Sequence, residues 1–387
     1  MMDAELRSWG TVRQLEFIEA IEKHGSTRKA AKALNVNPRT IERSLQALKL
    51  RAALQGHSPE HDMTHTVPDG FKVKGVSTYY DEEGKPRGQW VKSSLDQEAR
   101  ERFIRQFVED LCAEVKGKSP KIEPPTFTNA DMLAVYPIGD MHHGMYADAT
   151  ETGDADYDCK IASNALERAV DYLASITPPS EDALLINVGD YLHGNDSTNE
   201  TPGHGNRLDV DTRYGQVMHS AGLSLVRAIQ RLLTKHKRVI FWCMRGNHDP
   251  DSAQALALAV SFYFHNEPRV VVDLGTSLYK YLRFGQNLIG SHHGNGAKGS
   301  DLPLIMATDR AEDWGQTRHR VWHCGHIHHK TAKEFPGCVV ETHRTLAPQD
   351  AWAAGKGYRA QSDMNAIVYH REFGEIQRSR FDMSMVK

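Results

Sequence analysis

Five short clusters of Asp, His, Asn and Gly carry the side chains that could do chemistry. They are Gly139-Asp140-Met141-His142-His143-Gly144, Gly189-Asp190-Tyr191-Leu192-His193-Gly194, Gly246-Asn247-His248-Asp249, Ser291-His292-His293-Gly294 and Gly325-His326-Ile327-His328. Carboxylate, imidazole and amide donors together suit divalent Mn, Fe or Zn. No Cys accompanies them, which argues against a structural zinc site. Asp140 and His142 stand two residues apart, as do His326 and His328. Extended backbone would aim each pair the same way. The flanking glycines let the chain turn sharply and stay close to a metal. One such cluster alone reads as an ordinary polar turn. Five in order, each after an apolar run, read as one site.

The apolar pattern shows what must bring them together. Met132–Ile138, Ala183–Val188 and Arg238–Met244 read as buried strands, and Cys159–Ile176, Thr212–Lys235 and Ser252–Phe264 as helices. After Pro268 the strands come closer together: Val270–Asp273, Tyr279–Phe284, Asn287–Ser291, Val321–Cys324 and Val339–Thr342. Alternating strands and helices followed by a strand-rich half predict a layered α/β protein. In open α/β sheets, ligands bind outside the carboxyl ends of strands. The five clusters would therefore converge.

Composition bounds the rest. The chain has 387 residues, 40% hydrophobic and 25% charged, enough for two or three domains. Five cysteines without a CxxC pair do not make a disulfide framework, so a cytoplasmic protein is expected. No apolar run approaches the ~20 residues that span a bilayer, so no membrane partner is expected. With a formal charge of -3, any grip on nucleic acid must come from a local basic face.

Such a face occurs near the start. Val12, Leu15, Ile18 and Ile21 recur at helical spacing and Gly25 stops that helix. Ser26 or Thr27 can cap the next. Asn35 breaks it, and Pro38 opens a third. Thr27, Ala31, Leu34, Val36, Ile41 and Leu45 make this stretch similar to a helix-turn-helix unit. A bland reading, a small packing or dimerisation domain, uses the same residues and is compatible with a homodimer. Under the first reading, Arg28, Lys32, Arg39, Thr40 and Arg43 are the expected DNA contacts. The expected division is a helix-turn-helix domain over 1–54, a region with a hairpin, a helix (Asp96–Val115) and a linker over 55–128, and the main domain over 129–387. In the hairpin, Lys72, Lys74, Lys85, Arg87 and Lys92 lie among Tyr79, Tyr80 and Trp90, a mixture that suits nucleic acid as well as solvent.

The ordered set D-x-H, GD, GNHD, HG and GHxH resembles the calcineurin-like metallophosphoesterases, from about Met132 to His328. The resemblance implies a layered β-sandwich flanked by helices, with the helix-turn-helix as a small all-α addition. It implies two divalent cations, Mn first, with Fe, Zn, Co or Ni accepted by the same ligands. Asp140, His142 and His328 match the ligands of one metal, Asn247, His293 and His326 those of the other, and Asp190 the bridge. His293 is preferred to His292 because the family histidine precedes Gly. His248 matches the residue that steadies the phosphate or protonates the leaving group. The implied reaction is in-line attack on phosphorus by a hydroxide shared between the metals.

The protein Ser/Thr phosphatases carry GDxxDRG, whereas His193 stands at the second Asp here. GDYLHGN is more similar to SbcD-like and double-strand-break repair nucleases, which implies a catalytic role for His193. Arg207–Asp211 and Thr345–Asp350 look like stretches of phage-encoded metallophosphoesterases, which suggests a bacterial or phage-infected cell. The expected function is therefore a DNA nuclease. The alternatives are a phosphoesterase for a cyclic nucleotide or other small molecule, and a DNA-binding regulator with an inactive phosphoesterase domain. His143 and His329 are expected to lie outside the ligand set, His329 because strand alternation would turn it away.

Overall fold

The computed structural model describes residues 6–58, 71–81, 86–95, 106, 117 and 119–385. The chain divides into two compact units, Met1–Arg102 and Phe103–Lys387.

In the first unit, three helices follow the sequence signals closely: α1 (Val12–His24), α2 (Thr27–Ala33) and α3 (Pro38–Leu54). Thr11 and Gln14 form a reciprocal capping box on α1, and Gly25 ends it in the left-handed conformation. Ser26 caps α2, and Asn37 caps α3 just before Pro38. Asn35 takes a φ of 53° in the turn between them. Phe17, Ile18, Ala30, Ala31, Ile41 and Leu48 close the core beneath. Arg28, Lys32, Arg39, Thr40 and Arg43 are all exposed. Strands β1 (Phe71–Tyr80) and β2 (Pro86–Leu95) pair antiparallel as a hairpin. The tip of the hairpin, 82–85, and the expected helix Asp96–Val115, beyond Gln106, lie outside the described residues.

The second unit is built on two sheets. The larger contains β3 (Asn129–Ile138), β4 (Ser180–Asn187), β5 (Arg238–Cys243), β6 (Val270–Asp273), β12 (Asp363–His370) and β13 (Gly374–Asp382), in the order β13-β12-β3-β4-β5-β6. Its β3 to β6 portion is parallel, and β12 and β13 are antiparallel. The smaller contains β7 (Lys280–Phe284), β8 (Asn287–Ser291), β9 (His319–Cys324), β10 (Thr331–Phe335) and β11 (Cys338–Thr342), in the order β10-β11-β9-β8-β7.

Side-chain alternation splits β3, β4 and β5 between two cores. Leu133, Val135, Leu184, Ile186 and Trp242 meet Phe284, Ile289, Val321 and Tyr369 between the sheets. Ala134, Tyr136, Ile138, Leu185 and Phe241 face the other way, onto α4 (Cys159–Ile176), α5 (Tyr214–Leu233) and α6 (Ser252–Tyr263). Fully burying each large apolar side chain is worth about 1.5–3 kcal/mol, so both faces hold the central strands in place. The fold is α/β, with sheets flanked by helices. Strands β12 and β13 were not anticipated: β13 is mostly polar, and it owes its place to pairing across the sheet edge. No helix among the described residues is long and apolar enough to cross a membrane.

Candidate metal centre

All five clusters follow strands as expected: β3, β4 and β5 deliver the first three, β8 and β9 the last two. The strands within each group run parallel. The local backbone differs from the expectation. Asp140–His142 and His326–His328 are not extended pairs, because His142, His326 and His328 have φ of 45°, 71° and 55°. Asp190 is also left-handed, at 50°. Such conformations cost on the order of 1–3 kcal/mol each and persist where the surroundings demand them. Here tight loops, not strand alternation, aim the ligands.

Two sets of side chains result. Asp140, His142 and His328 form one, and Asp190, His293 and His326 the other, each with donor atoms within 4.8 Å of one another. His142 Nε2 lies 3.0 Å from His328 Nε2, and Asp140 Oδ1 lies 3.7 Å from the latter. His293 Nε2 lies 3.0 Å from Asn247 Oδ1 and 3.2 Å from Asp190 Oδ2. Its Nδ1 donates to the Val188 carbonyl at 2.9 Å, so in the neutral ring Nε2 is a bare lone pair. With that ring neutral, three acceptors converge with no hydrogen between them. That donor set fits a divalent cation. His292 turns aside, stacked on Tyr279, and its Nδ1 accepts from the Gly294 N–H.

Close approach makes this possible. A Cβ on Gly246 would sit 1.9 Å from Asp190 Oδ1, and one on Gly325 would sit 2.5 Å from Asp140 Oδ2. Backbone groups secure the carboxylates: the His248 N–H donates to Asp190 Oδ1 at 2.7 Å, and the His326 N–H donates to Asp140. The carboxylates are buried, while Asn247, His248 and His328 are half-buried and His326 is exposed, so solutes reach the rim.

Burial and charge set the protonation pattern. Burial would raise Asp190, but His293 and His248 outweigh it and hold the carboxyl low. Burial would lower His293, but Asp190 and Asp140 raise it to about 10. Burial, with Asp190 nearby, pushes Asp140 up to about 7. Burial and neighbouring imidazoles lower His142, and take His193 to about 3 and His328 to about 4.

His193 and His248 join the centre beside His142. His193 Nδ1 is 3.3 Å from His142 Nδ1, and the His142 and His248 rings are 4.8 Å apart. His248 Nδ1 donates to the His193 carbonyl at 2.7 Å. His329 lies outside, as expected, but for another reason: it is exposed beyond the strand, and its Nδ1 donates to the Ile327 carbonyl.

The chain matches the calcineurin-like phosphoesterase family over residues 134–367. It belongs to that family. Calcineurin-like phosphoesterases are metal-dependent hydrolases, and the paired His/Asp sets of this member lie within the matched region. No curated protein matches the sequence. Its backbone is similar to a conserved protein of Streptococcus pneumoniae described as a phosphoesterase (10% identity, 65% of this chain, 98% of that one, TM-score 0.26). It is also similar to zinc-complexed Vps29 of Entamoeba histolytica (10%, 65% and 99%, 0.25) and to a 5'-nucleotidase of Staphylococcus aureus described as putative (12%, 65% and 54%, 0.32).

Two residues at the calcineurin-like centre escaped the sequence reading. Asp249 accepts from the N–H groups of Asp190, Gly246 and Leu192 at 3.2, 3.0 and 3.0 Å, tying two ligand loops together. Its position as the last residue of GNHD was the available signal. Thr345 donates its hydroxyl to the Asp140 carbonyl at 2.7 Å; the family-like stretch Thr345–Asp350 marked its place but gave it no role. The acidic loop before α4 needs no cation: Asp154, Asp156 and Asp158 accept from the N–H groups of Gln349, Ala149 and Ile161. A buried group elsewhere, His323, Glu341 and His343, is satisfied internally through Tyr369 and Arg378.

Proposed function

We propose that this protein is a two-metal phosphodiesterase acting on DNA. The observation that carries the hydrolytic part is the convergence of His293 Nε2, Asn247 Oδ1 and Asp190 Oδ2, beside a second set of Asp140, His142 and His328. Asp190 lies within the second metal's set, and the resemblance gives it the bridging role. Two bound cations, Mn by preference, would clamp phosphate oxygens and activate water for in-line attack. The chain's own groups do the rest. His248 is oriented by its Nδ1 bond to the His193 carbonyl, which leaves Nε2 as the atom that exchanges a proton with the leaving oxygen. The backbone N–H of His248 keeps Asp190 turned toward His293. His193 packs against His142, and the resemblance gives it a role beside the phosphate, which it would serve by holding the His142 ring.

Two features support DNA as the partner. In the first unit, α2 carries Arg28 and Lys32, and α3 carries Arg39, Thr40 and Arg43, all exposed, an arrangement compatible with a helix-turn-helix. Such cations neutralise phosphates and position a duplex. On the hairpin, Trp90 pairs opposite Ser77, two residues from Tyr79, so both exposed aromatic rings share a face and can stack on bases.

The test uses metal-stripped full-length protein with Mn²⁺ restored and Asp190→Asn as control. End-labelled single- and double-stranded DNA are assayed beside bis(p-nitrophenyl) phosphate. Mn-dependent DNA cleavage, lost in the variant, is the expected result. Hydrolysis of the small diester with DNA untouched would shift the reading to a small-molecule phosphoesterase. Bound Mn with neither substrate cut would favour a DNA-binding regulator.

A further inference from the structure

His193 also lines a cavity of about 10 Å³, shared with His143, Asn199, Thr212 and Tyr214. That is close to the space one water or hydroxyl oxygen occupies. His143 is fully buried and His193 is 2% exposed. Each ring has one nitrogen, His143 Nδ1 and His193 Nε2, without a hydrogen-bond partner among the described residues. A buried polar atom left this way keeps its full desolvation penalty, so it calls for an occupant.

The hydrogen-bond chain behind His143 fixes which nitrogen carries its proton. Ser163 Oγ donates to the Cys159 carbonyl at 2.9 Å. Its single hydrogen is thereby used, so at 3.1 Å it accepts from Ser220 Oγ. The Ser220 hydrogen is then used as well, so Ser220 accepts from His143 Nε2–H at 3.0 Å. His143 Nδ1 is therefore a bare acceptor. The assignment for His193 rests on the metal reading. If His142 Nε2 is the ligand atom, its proton is on Nδ1 and is donated to His193 Nδ1. His193 then carries its own proton on Nε2.

We infer that the cavity is a hydroxyl subsite, in which one oxygen accepts from His193 Nε2–H and donates to His143 Nδ1. Two cavity-lining rings that offer one donor and one acceptor suit a group that does both. The hydroxyl comes either from a resident water or from an alcohol of the substrate, such as a sugar hydroxyl. His143 is thus a positioning residue that acts on the centre through His193.

The test begins with the tautomers in the intact protein, read by ¹⁵N–¹H NMR of histidine-labelled chain. The expected pattern is His143 protonated on Nε2 and His193 on Nε2. Protonation of His143 on Nδ1 would overturn the assignment whatever the activity of the enzyme. The second arm uses His143→Phe, which keeps a ring to stack on Tyr191, and His143→Gln, which restores an acceptor. Both are assayed on bis(p-nitrophenyl) phosphate, which has no hydroxyl, and on the p-nitrophenyl ester of thymidine 5'-phosphate, which has one. His143→Phe should lower turnover about tenfold with Mn content unchanged, and His143→Gln should recover part of it. A defect on both esters identifies a resident water, and a defect on the nucleoside ester alone identifies the sugar hydroxyl. Wild-type rates on both esters would sink the subsite. If wild type itself cuts neither ester with Mn bound, the hydrolase reading fails, while the NMR result still decides the His143 half.

Discussion

His293 Nε2 stands 3.0 Å from the side-chain oxygen of Asn247 while its Nδ1 hydrogen is committed to the Val188 carbonyl. Residues from the ends of β5 and β8, strands of different sheets, thus aim two lone pairs at one point. The neutral ring is stable there only with a cation between, and the metal-free ring solves the problem by taking a proton.

That relationship predicts how metal affinity responds to pH. His293 is raised from 6.5 to about 10 by Asp190 and Asp140 against the effect of burial. In metal-free protein, the stability from the charged His293–Asp190 pair is complete below the ordinary histidine value and is lost as pH rises through about 10. On the acid side it is lost as Asp190, held low, finally protonates. Asp140, raised to about 7, is partly protonated at neutral pH. Mn²⁺ must displace these protons, so its affinity should rise with pH from 6 to 9. Calorimetry at pH 7 in two buffers of different ionisation enthalpy should show release of about one proton or more; none released would contradict the ligand assignment.

Asp249→Asn should weaken Mn binding by about 10–100-fold, because its carboxylate orients the Asp190 and Gly246 loops without being a ligand. An amide NH₂ facing the Leu192 N–H would break one of the three hydrogen bonds. Unchanged Mn affinity in a titration would show that the ligand loops are held by other contacts.

Gly246→Ala should abolish tight Mn binding. The new methyl would overlap Asp190 at 1.9 Å from Oδ1 and 2.3 Å from N, so backbone must move. Metal content after dialysis reads this directly. Wild-type content would mean that the two loops separate without penalty.

Arg39→Ala with Arg43→Ala should weaken DNA binding and reduce the salt slope of log K by about 2, roughly one for each phosphate no longer neutralised. Hydrolysis of bis(p-nitrophenyl) phosphate should stay at the wild-type rate. An unaltered salt slope would remove these residues from the DNA interface.

The local sequence determined a great deal. Caps at Ser26 and Asn37, the left-handed stops at Gly25 and Asn35, and the apolar runs ending in Gly-Asp or Gly-His were readable because each depends on neighbours within a few residues. The five clusters and their placement at strand ends came from the same signals. Tertiary structure decided what those signals could not reach. It seated β12 beside β3, since edge pairing joins residues over 200 positions apart. It turned the His293 ring, and not that of His292, toward Asn247 and Asp190, because Gly189 lets the His293 ring approach and Tyr279 takes the other. It recruited Asp249 and Thr345 as fasteners of the ligand loops. It also set the left-handed turns at His142, His326 and His328, which no periodicity encodes, because their cost is met by contacts made only once both sheets have closed.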